Sequence, residues 1–260
     1  MKDWRRLILL AAAATATALW LLRPASMKTP SFLPPASDPE GRVARARALR
    51  APAVLERCTR AGLVYPPREL FLRAFKREAV LEVWARDERP EFTLLHRYPI
   101  TYSSGHPGPK RREGDRQVPE GFYQIEGFNP LSLYHLSLRV NYPNASDRIL
   151  SDRAKPGFDI YIHGGDGSVG CLPIGDEGIE EVYLLASDSG NRDTLPLHIF
   201  PMQMSGAAWD EFLAAERDRA PELARFWAQL QPGFDAFERT RRVPVVNVAM
   251  DGSYRVETGP

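Results

Sequence analysis

Asp159-Ile160-Tyr161-Ile162-His163-Gly164-Gly165-Asp166-Gly167-Ser168-Val169-Gly170-Cys171 is the stretch on which the reading of this chain turns. A β-prone run delivers His163, three of the next four residues are glycine, and Cys171 follows eight positions after the histidine. Asp176 then reads as the N-cap of a helix over 177–187, with Ile179, Val182, Tyr183 and Ala186 on one face. A thiol is only slightly ionised at neutral pH, and the thiolate is the nucleophile. A nearby imidazole can take its proton and return it to a leaving amine. Glycines let the backbone reach positive φ and approach a substrate closely. On that reading the amides of Gly170 and Cys171 point at a developing oxyanion.

Taken singly, each residue has a plainer explanation. A lone histidine at a strand end is usually structural, and a lone cysteine usually a small buried hydrophobe. His163 and Cys171 could also be two zinc ligands, but no second cysteine lies nearby to complete a structural site, so no metal or cofactor is assigned.

The flanking sequence is β-rich. Leu70 and Leu72, then Val80, Leu81, Val83 and Trp84, then 92–100, read as a meander of strands. Residues 102–120 read as a long loop, and 121–127, 132–142, 158–163 and 196–201 as further strands. A helix over 209–230 is broken by Pro221, and 243–248 with 254–256 form a terminal hairpin around Asp251-Gly252. The sum is an α+β chain with flanking helices. His135 alternates like a strand residue and could line the cleft with Tyr134 beside it. His106 and Lys110 in the long loop could contact substrate carboxylates.

Upstream, Lys2, Arg5 and Arg6 precede an uncharged apolar run from Leu7 to Leu22, the pattern of an export signal. Residues 1–23 are read as a signal peptide or a signal anchor through 7–22, which places the rest in the periplasm. Residues 24–40 form a Pro-rich linker, and 41–66 a helical segment that Asp38-Pro39-Glu40 caps and whose Arg-rich face is read as solvated. The remaining boundaries are 67–203 for a catalytic domain and 204–260 for a C-terminal helical extension and hairpin. Across 260 residues, 34 basic and 33 acidic side chains leave a net charge of +1, and no global field points to nucleic acid. Cys58 and Cys171 are the only cysteines, and a bridge between them would consume the nucleophile.

His163-Gly164 followed by Ser168-Val169-Gly170-Cys171 resembles the signature of the L,D-transpeptidase (YkuD-like) catalytic domain. Ser104-Gly105-His106-Pro107-Gly108-Pro109-Lys110, Gly114-Asp115 and Pro119-Glu120-Gly121-Phe122-Tyr123 look like that family's lead into its core sheet. Asn129-Pro130, Tyr134-His135-Leu136-Ser137-Leu138 and Asn141-Tyr142-Pro143-Asn144 look like its YafK-like branch. The resemblance covers about residues 68–200. It implies a β-rich, sandwich-like catalytic domain, with Cys171 as nucleophile, His163 as base and a backbone carbonyl as third member. It also implies Ser168, Gly170 and Gly164 as loop-shaping residues. The substrate implied is the peptidoglycan stem peptide, attacked at the L-centre of meso-diaminopimelate. Two alternatives stay open: a hydrolase that trims stems or releases a peptidoglycan-linked lipoprotein, and a non-catalytic wall-binding domain. The chain departs from the pattern where Val169 replaces a histidine before Gly-Cys, where the His-to-Cys loop is short, and where Pro173 replaces an arginine two positions after the cysteine.

Overall fold

A computed structural model describes residues 38–257; the export segment and most of the linker lie outside them. Helix α1 (Pro39–Arg60) starts where Asp38 accepts the Gly41 amide and Pro39 occupies the first turn, a position where its missing N–H costs nothing. Strands β1 (Glu69–Phe75), β2 (Val80–Arg86) and β3 (Thr93–Pro99) form the meander. After the long loop come β4 (Gly121–Asn129), β5 (Ser137–Val140), the short helix α2 (Ala145–Leu150), β6 (Ile160–His163) and β7 (Leu172–Pro173). Then follow α3 (Gly175–Asp188), a 3-10 turn (Arg192–Thr194), β8 (Pro196–Phe200), α4 (Ala207–Arg219), α5 (Pro221–Thr240) and the hairpin β9 (Val246–Val248) with β10 (Tyr254–Val256).

Eight strands make one sheet in the order β3-β2-β1-β8-β4-β5-β6-β7, antiparallel except for the parallel pairs β1/β8 and β6/β7. Side chains alternate across a sheet. One face, with Leu72, Leu81, Ile125, Leu138, Ile162 and Leu197, packs on Val54 and Cys58 of α1 and Ile179 and Val182 of α3. The other face, with Phe75 and Phe200, is covered by Trp209, Leu213, Trp227 and Phe234 of α4 and α5. Each such fully buried side chain stabilises the fold by roughly 1.5–3 kcal/mol relative to exposure. The α+β class is as expected, and the hairpin and the break at Pro221 fall where the sequence puts them.

Two expectations change. The strand predicted over 132–142 begins only at Ser137, because His135 sits at φ +73° and the chain ahead of it forms a turn. The arginine face of α1 is not merely solvated. Arg47 pairs with Asp188 at 2.5 Å, Arg50 with Glu180 at 2.7 Å and Arg57 with Glu181 at 2.9 Å, all on α3. Cys58 is a free thiol, buried, and pushed by that burial up to about 11.

Candidate active site

His163 ends β6 and is buried. Its Nδ1 lies 2.6 Å from the carbonyl oxygen of Gly164. A carbonyl can only accept, so Nδ1 carries the proton and Nε2 keeps a basic lone pair. Tyr134 lies against the imidazole, ring centroids 4.6 Å apart and tilted by 35°. The β6/β7 register pairs Ile162 with Leu172 and His163 with Pro173. Carried one step back, it sets Cys171 beside Tyr161, whose amide donates to Sγ at 3.4 Å. Paired residues of parallel strands face the same way, so His163 and Cys171 present their side chains on one face of the sheet. That face is the one α4 and α5 cover farther along, over β1, β8 and β4.

The loop between them is pinned at both ends. The Gly164 amide donates to the carbonyl of Tyr134 at 3.0 Å, and the Gly165 amide to Asp176 Oδ1 at 2.8 Å. A Cβ on Gly164 would stand 2.5 Å from that same carboxylate oxygen, so the close approach requires glycine here. Asp176 therefore does something other than predicted. Helix α3 begins at Gly175 without a side-chain cap, and Asp176, its second residue, holds the glycine loop. Gly170 takes φ +93° with its α-carbon against the Gln117 carbonyl, a conformation only glycine adopts cheaply.

The two amides expected to stabilise an oxyanion are both engaged. Gly170 N–H donates to Ser104 Oγ at 2.8 Å, and Cys171 N–H to Ser168 Oγ at 2.8 Å. Ser104 donates its own proton to the Arg116 carbonyl and so meets Gly170 with a lone pair. Ser168 meets both the Cys171 amide and the Cys171 thiol. Ser104 belongs to a segment noted only as part of a motif; its partner lies 66 positions away.

Burial raises the Cys171 thiol above its ordinary value, against the opposing pull of the Tyr161 amide, Ser168 and Lys110. Burial lowers His163, opposed by the Gly164 carbonyl. Both shifts favour the neutral forms, a thiol at Cys171 and an imidazole at His163.

The peripheral residues distribute unevenly. Tyr134 sits on His163 and stays half exposed. His135 turns toward α3, its Nε2 2.8 Å from Glu180. Lys110 is buried, its ammonium on Asp115 at 2.6 Å and the Arg112 carbonyl at 3.0 Å, so its charge is neutralised inside the protein. Ser137, registered opposite His163, has a buried hydroxyl with no hydrogen-bond partner among the described residues. Among the described residues no group of three or more His, Cys, Asp or Glu side chains is arranged to hold a metal ion.

No family model matches the chain. Two curated proteins, from Escherichia coli K12 and Escherichia coli O157:H7, both named "Putative L,D-transpeptidase YafK", are 32% identical over 191 residues, covering 72% of this chain and 73% of theirs. Among solved structures, the helical cell shape determining protein Pgp2 of Campylobacter jejuni aligns with a TM-score of 0.43 at 17% identity, over 70% of this chain and 73% of that one. L,D-transpeptidase 1 of Mycobacterium tuberculosis aligns with a TM-score of 0.29 at 15% identity, over 50% of this chain and 61% of that one. The extent and identity of the first match place this chain in the YafK family of L,D-transpeptidase-like proteins.

Proposed function

We propose that the chain is a cysteine-dependent acyl-transfer enzyme acting on peptidoglycan stem peptides, with Cys171 as nucleophile and His163 as general base. The observation that carries the reading is the pairing of β6 with β7, which presents both side chains on one face while the Gly164 carbonyl fixes the tautomer of His163. As Sγ attacks the carbonyl carbon at the L-centre of meso-diaminopimelate, its proton passes to His163 Nε2. The Cys171 amide, released by Ser168, donates to the oxyanion. His163 then protonates the departing amine and a thioester remains. An amine acceptor resolves it in transpeptidation, and water resolves it in hydrolysis. The residues that do this chemistry need no metal or cofactor. The names of the curated relatives support the substrate class, and the basic patch and apolar run before residue 23 support action in the periplasm, outside the cytoplasm. Among the described residues no helix is long and apolar enough to cross a membrane.

The test is incubation of the full chain with isolated sacculi carrying covalently attached lipoprotein, beside a Cys171→Ala control, with products identified by mass spectrometry. New links between diaminopimelate residues make it a transpeptidase. Released lipoprotein or shortened stems without new links make it a hydrolase. Identical products from both proteins sink the catalytic reading in favour of a wall-binding domain.

A further inference from the structure

A groove of about 490 Å³ opens between the turn after β1, the loop at 103–107 and Phe212 of α4. Its wall reaches the candidate active site at Ser104, which holds the amide of Gly170, the residue before Cys171. The ionisable residues that line it are Lys76, Arg77 and His106, all bases.

These bases differ in what they already hold. Lys76 is locked into the floor by Glu120 Oε1 at 2.7 Å and the carbonyls of Gly108 at 2.8 Å and Val118 at 3.0 Å. Glu120 is itself fully buried, and it also accepts from the Gly108 amide and from Trp227 Nε1 of α5. The floor is therefore rigid and its charge neutralised. The loop at the mouth is held as well, since the His106 amide donates to Gln117 Oε1 at 2.9 Å. Arg77 stands apart. Its guanidinium meets only the Met202 sulfur at 3.5 Å and the Phe212 ring at 5.8 Å, and among the described residues no carboxylate pairs with it. The adjacent acid, Glu78, turns away to accept the Gln203 amide. A guanidinium steadied by soft partners, at the lip of a groove without acids, is arranged to meet a carboxylate in a forked, two-bond geometry.

We propose that this groove is a carboxylate subsite of the active site. It receives a carboxylate of the peptide whose carbonyl Cys171 attacks, with Arg77 as the anchoring cation and His106 and Ser103 as further donors at the mouth. The inference rests on the peptide-substrate reading above and adds how the peptide is oriented.

The experiment uses the full chain carrying Cys171→Ala, which binds without turnover, and calorimetric titration with two synthetic probes. One is the stem tetrapeptide with free carboxylates; the other is the same peptide with every carboxylate converted to carboxamide. Arg77 is exposed, so its substitution leaves the fold intact. The expected result is that Arg77→Ala weakens the acid peptide roughly tenfold or more, the loss of one charged hydrogen-bonding pair. Arg77→Lys, keeping the charge without the fork, falls between. The carboxamide peptide binds weakly and equally to all three. Equal binding of the acid peptide with and without Arg77 overturns the subsite while leaving the peptide reading standing. Equal weakening of both peptides by Arg77→Ala also overturns it, because the contact is then not to a carboxylate. If neither peptide binds any of the proteins, the peptide reading fails and the subsite with it.

Discussion

The hydroxyl of Ser104 accepts the amide of Gly170 at 2.8 Å and donates to the carbonyl of Arg116 at 2.7 Å. One side chain thus ties the long loop to the residue before the nucleophile. Replacing it leaves a buried amide and a carbonyl without partners, and an orphaned polar group costs about 1–3 kcal/mol. Ser104→Ala is expected to destabilise the protein by about 2 kcal/mol, measured by urea unfolding. Ser103→Ala, next to it but without a hydrogen bond in the described structure, should stay within about 0.5 kcal/mol of the parent. Equal effects from the two would mean that the Ser104 contact carries no weight.

A second prediction concerns the resting state of Cys171 and His163. Burial pushes the thiol up and the imidazole down, so the free protein holds a neutral pair. Alkylation of Cys171, followed by peptide mass spectrometry, should titrate above the ordinary thiol value of about 8.5. His163→Gln should leave that titration nearly in place while lowering turnover about 10²–10⁴-fold, the usual contribution of a positioned base. A base with a depressed value stays neutral to lower pH, so the acid limb of the rate should fall below about 6.5. A thiol titrating well below 8.5 would show a preformed ion pair instead.

The parts legible in the sequence are those with local causes. The β-prone run Val80-Leu81-Glu82-Val83-Trp84 marks a strand, Pro221 marks a break between helices, and His163 and Cys171 stand out because glycines separate them. What escaped depends on partners distant in sequence. Ser104 acts on Gly170, Asp176 on Gly165 and Arg50 on Glu180, contacts that exist only once the sheet has formed. Helix α2 escaped for another reason. Its six residues are too few for an apolar period, although Asn144 and Asp147 form a reciprocal capping box that is readable as a start signal.

The link between α1, α3 and the loop beside His163 gives a third prediction. His135 is raised by its hydrogen bond to Glu180, against desolvation, with Asp176 adding to the rise and Arg42 opposing it. Its folded value therefore lies above the unfolded value of about 6.5, and proton binding favours the folded state. The stabilisation is complete below about pH 6.5 and disappears as pH rises through the folded value. The pair is partly exposed, so the effect should not exceed about 1 kcal/mol. The stability difference between parent and His135→Gln should be largest near pH 5.5 and vanish in alkali. A difference that does not change with pH would mean that the contact stabilises by packing alone.

His198 supplies the last prediction, with the opposite sign. It lies at the centre of the sheet, 3% exposed, edge-on to Phe71 at 4.6 Å and Phe122 at 4.7 Å, and its Nδ1 has no hydrogen-bond partner among the described residues. Burial, and then the charge of Arg73, depress it to about 3. The unfolded chain takes up this proton near pH 6.5 and the folded one does not, so the contribution is intact above that pH and is lost progressively as pH falls toward the folded value. His198→Phe keeps a ring of similar volume between the same aromatic neighbours and removes the orphaned nitrogen. The variant should be at least as stable as the parent at neutral pH and should lose less stability between about pH 6.5 and pH 4, read from parallel denaturant titrations. If the two acid curves superimpose, the ring protonates inside the folded protein. The unpartnered nitrogen would then have to be reaching water through the neighbouring cleft lined by Asn141, Asn144 and Val246.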